Sequence, residues 1–161
     1  MSFQIWIQTD KPLQQLATEI REIFSLPPFK QHTLTGESYY QFEMLGMSLL
    51  IHQADEEDHD PEVINYPYSL DLQVSFTDHQ LDTDTMVYSM QPYYAQLLAF
   101  HLDIKTAYHE RQKVGQRWQI RYNYCCKNPK WNELILYGEE GWEPAVLVAP
   151  PSPWRTRYPA F

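Results

Sequence analysis

Alternating apolar and polar residues predict most of the strands along this chain. Residues 3–8 alternate with the two-residue period of a β-strand. The same period predicts a hairpin over 39–51 that turns at Gly46, and the clearest strand of the chain over 68–76. Because this last strand has one apolar and one polar face, we expect an antiparallel sheet whose polar face meets water or a partner.

Two segments have the 3.6-residue period of amphipathic helices. The first begins after Asp10, a residue suited to cap the first helical turn, and the two prolines at 27–28 end it. The second begins at Pro92. Its apolar stripe runs as far as Ala107, and Gly115 closes the region. The sequence therefore predicts two helices.

The remaining segments give shorter elements. Residues 78–90 have no clear period, so the pattern predicts neither helix nor strand there. Alternation over 117–124 and over 131–137 predicts a second hairpin, because Asn128-Pro129 marks a turn between the two strands. A short strand is predicted at 146–148.

These elements together predict an α+β fold, with an antiparallel sheet of six or seven strands and both helices packed on its apolar face. The order strand, helix, hairpin occurs twice, so a duplicated βαββ arrangement is one hypothesis, although the two halves share no obvious residue identity. We expect one domain over 1–148 and an extended, proline-rich tail over 149–161 that packs on the domain or leaves it.

Charge and cysteine content narrow the functional classes. The chain has 12 Lys and Arg against 21 Asp and Glu, a formal net charge of −9, which disfavours binding to nucleic acid or to anionic membranes. No segment has the pattern of a signal peptide or a membrane span. Cys125 and Cys126 are adjacent, so a disulfide between them would be strained, and free thiols fit a reducing cytosol. We therefore expect a cytoplasmic protein.

An acidic loop is the densest chemical feature of the sequence. Hard cations such as Ca²⁺ and Mg²⁺ need several converging oxygen ligands, and a flexible acidic loop can supply them. The alternative is a solvated loop without a metal, since the loop lacks the ligand spacing of an EF-hand and charge runs between strands are usually solvated. The candidate ligands of a divalent cation are Asp55, Asp58, Asp60 and Glu62.

Motifs for catalysis or for organic cofactors are missing from the sequence. No nucleophile-elbow motif occurs, and the five glycines cannot form a phosphate-binding loop. We therefore predict no catalytic residue and no organic cofactor. An active site assembled from scattered residues stays open, so the prediction only favours a protein that is not an enzyme.

Aromatic and arginine side chains on the polar faces of the strands are typical of interface anchors. The alternative is that the tail or a loop covers this face. Two functional hypotheses follow: a non-catalytic interaction or regulatory protein with an acidic surface, which binds a protein partner or a second copy, or a protein that binds a metal or small molecule in the acidic loop or in a pocket between sheet and helices. The candidate interface residues are Trp6, Tyr39, Arg117, Gln119 and Arg121.

Overall fold

A computed structural model shows that the chain has an α+β fold built on one antiparallel sheet. Within the residues that it describes, the sheet has nine strands, more than the six or seven predicted, and three helices accompany it. The predicted fold class is confirmed. The described residues are 3–34, 37–44, 46–54, 59–74, 83–131 and 144–157.

The described strands and helices follow one another along the chain in the order given below. A short 3₁₀ helix, Pro61–Val63, lies between the fourth and fifth strands. The strands are β1 Phe3–Gln8, β2 Lys30–Leu34, β3 Glu37–Met44, β4 Met47–Gln53, β5 Tyr68–Val74, β6 Lys105–Val114, β7 Arg117–Lys127, β8 Val146–Val148 and β9 Arg155–Thr156. The helices are α1 Leu13–Phe24, α2 Thr83–Ser89 and α3 Gln91–Leu102.

Strand β1 lies at the centre of the sheet between β5 and β6. The order across the sheet is β2-β3-β4-β5-β1-β6-β7-β8, and β9 pairs with β7 beside β8. If the fold were a duplicated βαββ arrangement, β2 and β6 would be equivalent, since each follows a helix. However, β6 lies next to β1 while β2 lies at the outer edge. The strand order therefore does not repeat as the duplication hypothesis requires.

The main apolar core lies between the sheet and helices α1 and α3. Leu16 and Ile20 of α1 and Leu98 of α3 are fully buried against inward side chains of β1 and β5, such as Ile5 and Leu70. This side of the sheet, which we call the helix face, contains the apolar positions that the alternation in β1, β3 and β5 predicts. Burial of these side chains is the dominant favourable term in folding.

The sequence placed the end of the second helix too late. Helix α3 ends at Leu102, because Asp103 adopts a left-handed conformation with φ of 50°, and β6 begins two residues later. Ala107 therefore lies on a strand. The apolar stripe continued past the helix because β6 is buried on both faces from Thr106 to His109 and so shows no alternation.

Two further local predictions were wrong. Pro12, not Asp10, occupies the N-cap position of α1, and no side chain caps that helix. Strand β7 does not form its hairpin with 131–137: it pairs with β6 through a turn at Gly115, and with β8 and β9 on its other edge. Residues 132–137 lie outside the described part of the chain.

A second, smaller apolar cluster covers the opposite side of the sheet, which we call the loop face. Trp6, Ile120 and Tyr122 are buried there beneath Val63 and Tyr66 of the connection between β4 and β5. Trp6 is only 2 % exposed, so it cannot contribute to an accessible interface as predicted. The alternative that a loop covers this face is correct for Trp6.

Candidate functional site

The C-terminal tail is held to the acidic loop by a network of ion pairs. Arg155 donates both Nε and Nη2 to the carboxylate of Glu62, and its Nη2 also lies 2.8 Å from Oδ1 of Asp60. The side chains of Asp60 and Glu62 are only 13 % and 14 % exposed. Two nearly buried carboxylates therefore share one guanidinium, which fixes the tail against the loop.

Asp60 is also the acceptor of a buried tyrosine. The hydroxyl of Tyr122 donates to Oδ2 of Asp60 at 2.5 Å. Burial alone would raise the pKa of Asp60, but the hydrogen bonds from Tyr122 and Arg155 and the charge of Arg157 outweigh it, so the pKa is lowered. The pKa of Tyr122 is raised, because burial and the adjacent carboxylate both disfavour the phenolate. Asp60 therefore stays ionised, and Tyr122 stays protonated and donates its hydroxyl hydrogen to Asp60.

His109 lies beside this network and is 5 % exposed. Its ring contacts Tyr88 and Tyr122, with ring centres 5.5 Å and 6.2 Å away. Burial, and then the charges of Arg157 and Arg111, lower its pKa to about 4, although Asp60 opposes the shift. His109 is therefore neutral at pH 7, and its Nδ1 has no hydrogen-bond partner among the described residues.

Only two of the four predicted metal ligands lie within the described residues. Asp55 and Asp58 lie outside the described residues, while Asp60 and Glu62 direct their carboxylates to Arg155. Across the described segments, no three His, Cys, Asp or Glu side chains are placed to hold a metal ion together. A divalent cation at Asp60 and Glu62 would have to compete with the guanidinium, and cation binding by the loop stays a prediction.

The predicted interface residues of β7 lie on a hairpin that extends beyond the rest of the sheet. Strand β1 pairs with β6 only as far as Tyr108, and β8 pairs only with 125–127 of β7. Residues 110–121, which we call the basic arm, therefore pair mainly with one another and, at Gln119 and Ile120, with β9. The tip over 112–117 is exposed. Gly115 has the positive φ that a tight two-residue turn requires.

The cations of the basic arm differ in their surroundings. The guanidinium of Arg111 lies 5.7 Å from the ring centre of Tyr88 and 5.2 Å from that of Trp118. Arg121 forms an ion pair with Glu110. By contrast, the exposed Lys113 and Arg117 form no ion pair with any described residue. Within the described part of the chain, the tip of the arm thus presents two cations without an ion-pair partner.

The five predicted interface residues do not form one surface. Arg117, Gln119 and Arg121 lie on the helix face of β7, because their register partners in β6 continue the row of Tyr108, whereas Tyr39 lies on the loop face with Trp6. Arg121 packs under Trp154 of the tail at 4.5 Å, and Gln119 accepts from the side chain of Gln112. Arg117 alone of the three is open to a partner.

Tyr39 lies on the open half of the loop face, far along the sheet from the basic arm. Its ring stacks on His32 of the edge strand, with ring centres 5.1 Å apart and planes inclined by 18°. The next strand contributes His52, whose Nε2 lies 2.9 Å from a carboxylate oxygen of Asp71. These side chains form a polar row across β2 to β5, in which the buried Nε2 of His32 has no hydrogen-bond partner among the described residues.

The charge of the chain is unevenly distributed. The described residues contain all twelve Lys and Arg but only eleven of the 21 Asp and Glu, so their formal net charge is +1. The remaining acids belong to segments 55–58, 75–82 and 132–143, which contain no Lys or Arg. The described surface is therefore close to neutral, with a local excess of positive charge on the arm.

Sequence reasoning missed Arg155 as a structural residue of this region. The signal for it was electrostatic: two arginines in an otherwise uncharged tail, and a loop with six acids elsewhere in the chain. Opposite charges of this density favour pairing. Nothing in the sequence, however, specified which acids the tail would reach, since Glu62 and Arg155 are 93 residues apart.

Comparisons with known proteins leave the function open. No family model matches the chain, and neither a curated protein nor a solved structure resembles it at a significant level. Among the described residues, no helix has the length and apolar character to cross a membrane. The function is therefore inferred from the arrangement of the chain's own residues.

Proposed function

We propose that this chain is a non-catalytic protein–protein interaction protein that binds its partner through the basic arm. The observation that carries the proposal is the exposed, two-stranded arm itself, whose Lys113 and Arg117 form no ion pair with any described residue. In a chain of net charge −9, this local positive charge is complementary to an acidic segment of a partner protein.

The basic arm has a fixed base and an exposed tip, as a preformed binding hairpin requires. Its base is fixed, because Arg111 is held between two aromatic rings and Arg121 between Glu110 and Trp154. A rigid base lowers the conformational entropy that is lost when the tip binds. The backbone of the tip forms a cross-strand ladder, so Lys113 and Arg117 project from a preformed hairpin.

Defined peptides test the proposal. We expect a fluorescent oligoglutamate peptide to bind the protein at low salt, and the double substitution Lys113→Gln and Arg117→Gln to weaken binding by about fivefold to thirtyfold, from about 0.5–1 kcal/mol for each exposed charge pair. Lys30→Gln with Lys130→Gln is the matched control, since it removes the same charge from edge strand β2 and from the turn after β7. Fluorescence anisotropy gives the dissociation constants.

Three results would contradict the proposal. The first is equal loss of binding in the control, which would mean that only net charge matters. The second is preferential binding of oligolysine, which would locate the interaction on the acidic segments. The third is tighter binding of single-stranded DNA than of oligoglutamate, since a basic hairpin with Trp118 could also accommodate phosphates.

A further inference from the structure

The C-terminal tail lies along β7 as a bound peptide lies along the edge of a sheet. Residues 149–157 follow the edge of β7 that does not face β6, and they are antiparallel to it where they form β9. The backbone N–H groups of Ala149, Ser152 and Arg157 donate to carbonyl oxygens of β7 at 2.9 Å, 2.9 Å and 3.3 Å. The hydroxyl of Ser152 accepts from the N–H of Tyr122 at 2.8 Å. Addition of an extended segment to a strand edge is a common mode of peptide recognition.

Two adjacent side chains of the tail contact opposite faces of the sheet, because side chains of an extended chain alternate. Trp154 lies on the helix face, with its ring centre 4.5 Å from Cζ of Arg121. Arg155 lies on the loop face, where its guanidinium pairs with Asp60 and Glu62. The groove that the tail fills, formed by the edge of β7 with Arg121, Asp60 and Glu62, therefore accepts an aromatic residue followed by an arginine.

The acidic side of this groove is held in place by residues outside the tail. The hydroxyl of Tyr122 donates to Oδ2 of Asp60, and the hydroxyl of Tyr124 donates to the backbone carbonyl of Glu62 at 3.0 Å. Val63, next in the chain, is fully buried in the apolar cluster of the loop face. The carboxylates are thus positioned before any guanidinium arrives, and a preformed site loses less conformational entropy on binding.

The tail itself contributes little to the core. None of residues 149–157 is buried, and none belongs to either apolar cluster. By contrast, Val146 of the preceding strand β8 is 7 % exposed and packs in the main core. Segments that are attached by polar contacts and bury few apolar side chains are the first to open in a folded protein. The tail can therefore leave the groove while the sheet stays folded.

We propose that this groove binds an extended segment of a partner protein in which an aromatic residue precedes an arginine, and that the chain's own tail is a displaceable occupant of the same site. The aromatic residue of the partner replaces Trp154 on Arg121, so the base of the basic arm keeps its packing. The groove selects arginine, whereas the tip of the arm selects acidic residues, so the two sites are independent.

A partner protein suits the groove better than a second copy of this chain. Exchange of tails between two copies releases two docked tails to form two identical contacts, with the entropy cost of association and no new contact. A partner segment displaces only one tail. It competes with a tail that is tethered three residues after β8 and therefore has a high effective concentration at the groove.

A peptide with the sequence of the tail tests the proposal on the full chain. The probe is fluorescent Ala-Pro-Pro-Ser-Pro-Trp-Arg-Thr-Arg, which corresponds to residues 149–157. We expect Arg155→Ala to bind it about tenfold or more tightly than wild type does, because the weakened tail competes less for the groove. The peptide should also raise the melting temperature of Arg155→Ala more than that of wild type, since it returns the missing guanidinium. Fluorescence anisotropy gives the dissociation constants.

Three controls isolate the recognition of arginine. Lys30→Ala removes one positive charge elsewhere and should bind the peptide as weakly as wild type. Arg155→Ala combined with Glu62→Gln should lose the gain in affinity. A scrambled peptide keeps composition and charge and should not bind. Trp154→Ala weakens the tail at its other contact and takes the place of Arg155→Ala if that variant does not fold.

Four results would overturn the proposal. If neither tail variant binds the peptide, the tail is a fixed part of the fold. If wild type and Arg155→Ala bind it equally, the peptide binds outside the groove. If a peptide with alanine in place of the arginine that follows tryptophan binds as tightly, arginine is not recognised. If wild type sediments as a dimer that Arg155→Ala dissociates, the occupant is a second copy. Oligoglutamate binding by the basic arm is measured separately, so failure here is distinguishable from failure of that proposal.

Discussion

Acidification should destabilise this protein through the buried imidazole of His109. The imidazole is buried between Tyr88 and Tyr122, with the cations Arg111 and Arg157 nearby and Asp60 as the opposing anion. Burial and the two cations lower its pKa to about 4, against 6.5 in the unfolded chain. The unfolded state therefore binds a proton at a pH where the folded state does not.

The size of the effect follows from the two pKa values. Between pH 6.5 and pH 4 the unfolded chain holds about one more proton than the folded chain, so the free energy of unfolding falls by about 1.4 kcal/mol per pH unit. The total loss across this window is about 3 kcal/mol, of which about 2 kcal/mol is lost between pH 7 and pH 5. The lowered pKa of Asp60 acts in the same direction only at lower pH, as that group protonates.

Urea unfolding followed by tryptophan fluorescence measures this loss. In His109→Gln the decrease between pH 7 and pH 5 should shrink by about 2 kcal/mol, because glutamine does not titrate. His101→Gln is the control, since it makes the same substitution at an exposed histidine in the last turn of α3. If His109→Gln keeps the full pH dependence of the wild type, the buried neutral histidine is not its origin and the reasoning fails.

Two further predictions concern stability at pH 7. Arg155→Ala removes the guanidinium that two nearly buried carboxylates share and should cost about 2 to 3 kcal/mol. Lys30→Ala, at an exposed ion pair, should cost less than about 1 kcal/mol. Equal losses in urea unfolding would show that the tail is not held as described. Leu72→Ala and Phe100→Ala remove side chains buried in the main core and should each cost about 2 to 5 kcal/mol. Met86→Ala, at an exposed position, is their control, and a neutral result for either core substitution would contradict its burial.

Elements whose two faces differ could be read directly from the sequence. Strands β1, β3, β4 and β5 show the alternation of a sheet with helices on one side, and α1 shows the stripe that packs against them. Their periodicity is a local property of the chain, because each residue's burial depends only on which face of its own element it occupies. The α+β class follows from these elements alone.

The second half of the sheet was harder because both of its faces are buried. Residues 106–109 of β6 are all covered, so no alternation marks the strand. In β7 the alternation was correct, but its bulky side chains, such as Ile120 and Tyr122, face the loop and not the helices. Periodicity shows that one face is apolar, but it does not show which layer covers that face. This explains why Trp6 and Arg121 were assigned to one exposed surface.

The candidate sites depend most strongly on the tertiary structure. The sequence identified the acidic loop and the arginines of β7 as chemically distinctive, and it determined their charge and spacing. Only the fold placed Arg155 on Asp60 and Glu62 and left Lys113 and Arg117 at the tip of the arm without an ion pair to any described residue. Ion pairing joins residues that are distant along the chain, and the sequence alone contains no local signal for which of them will meet.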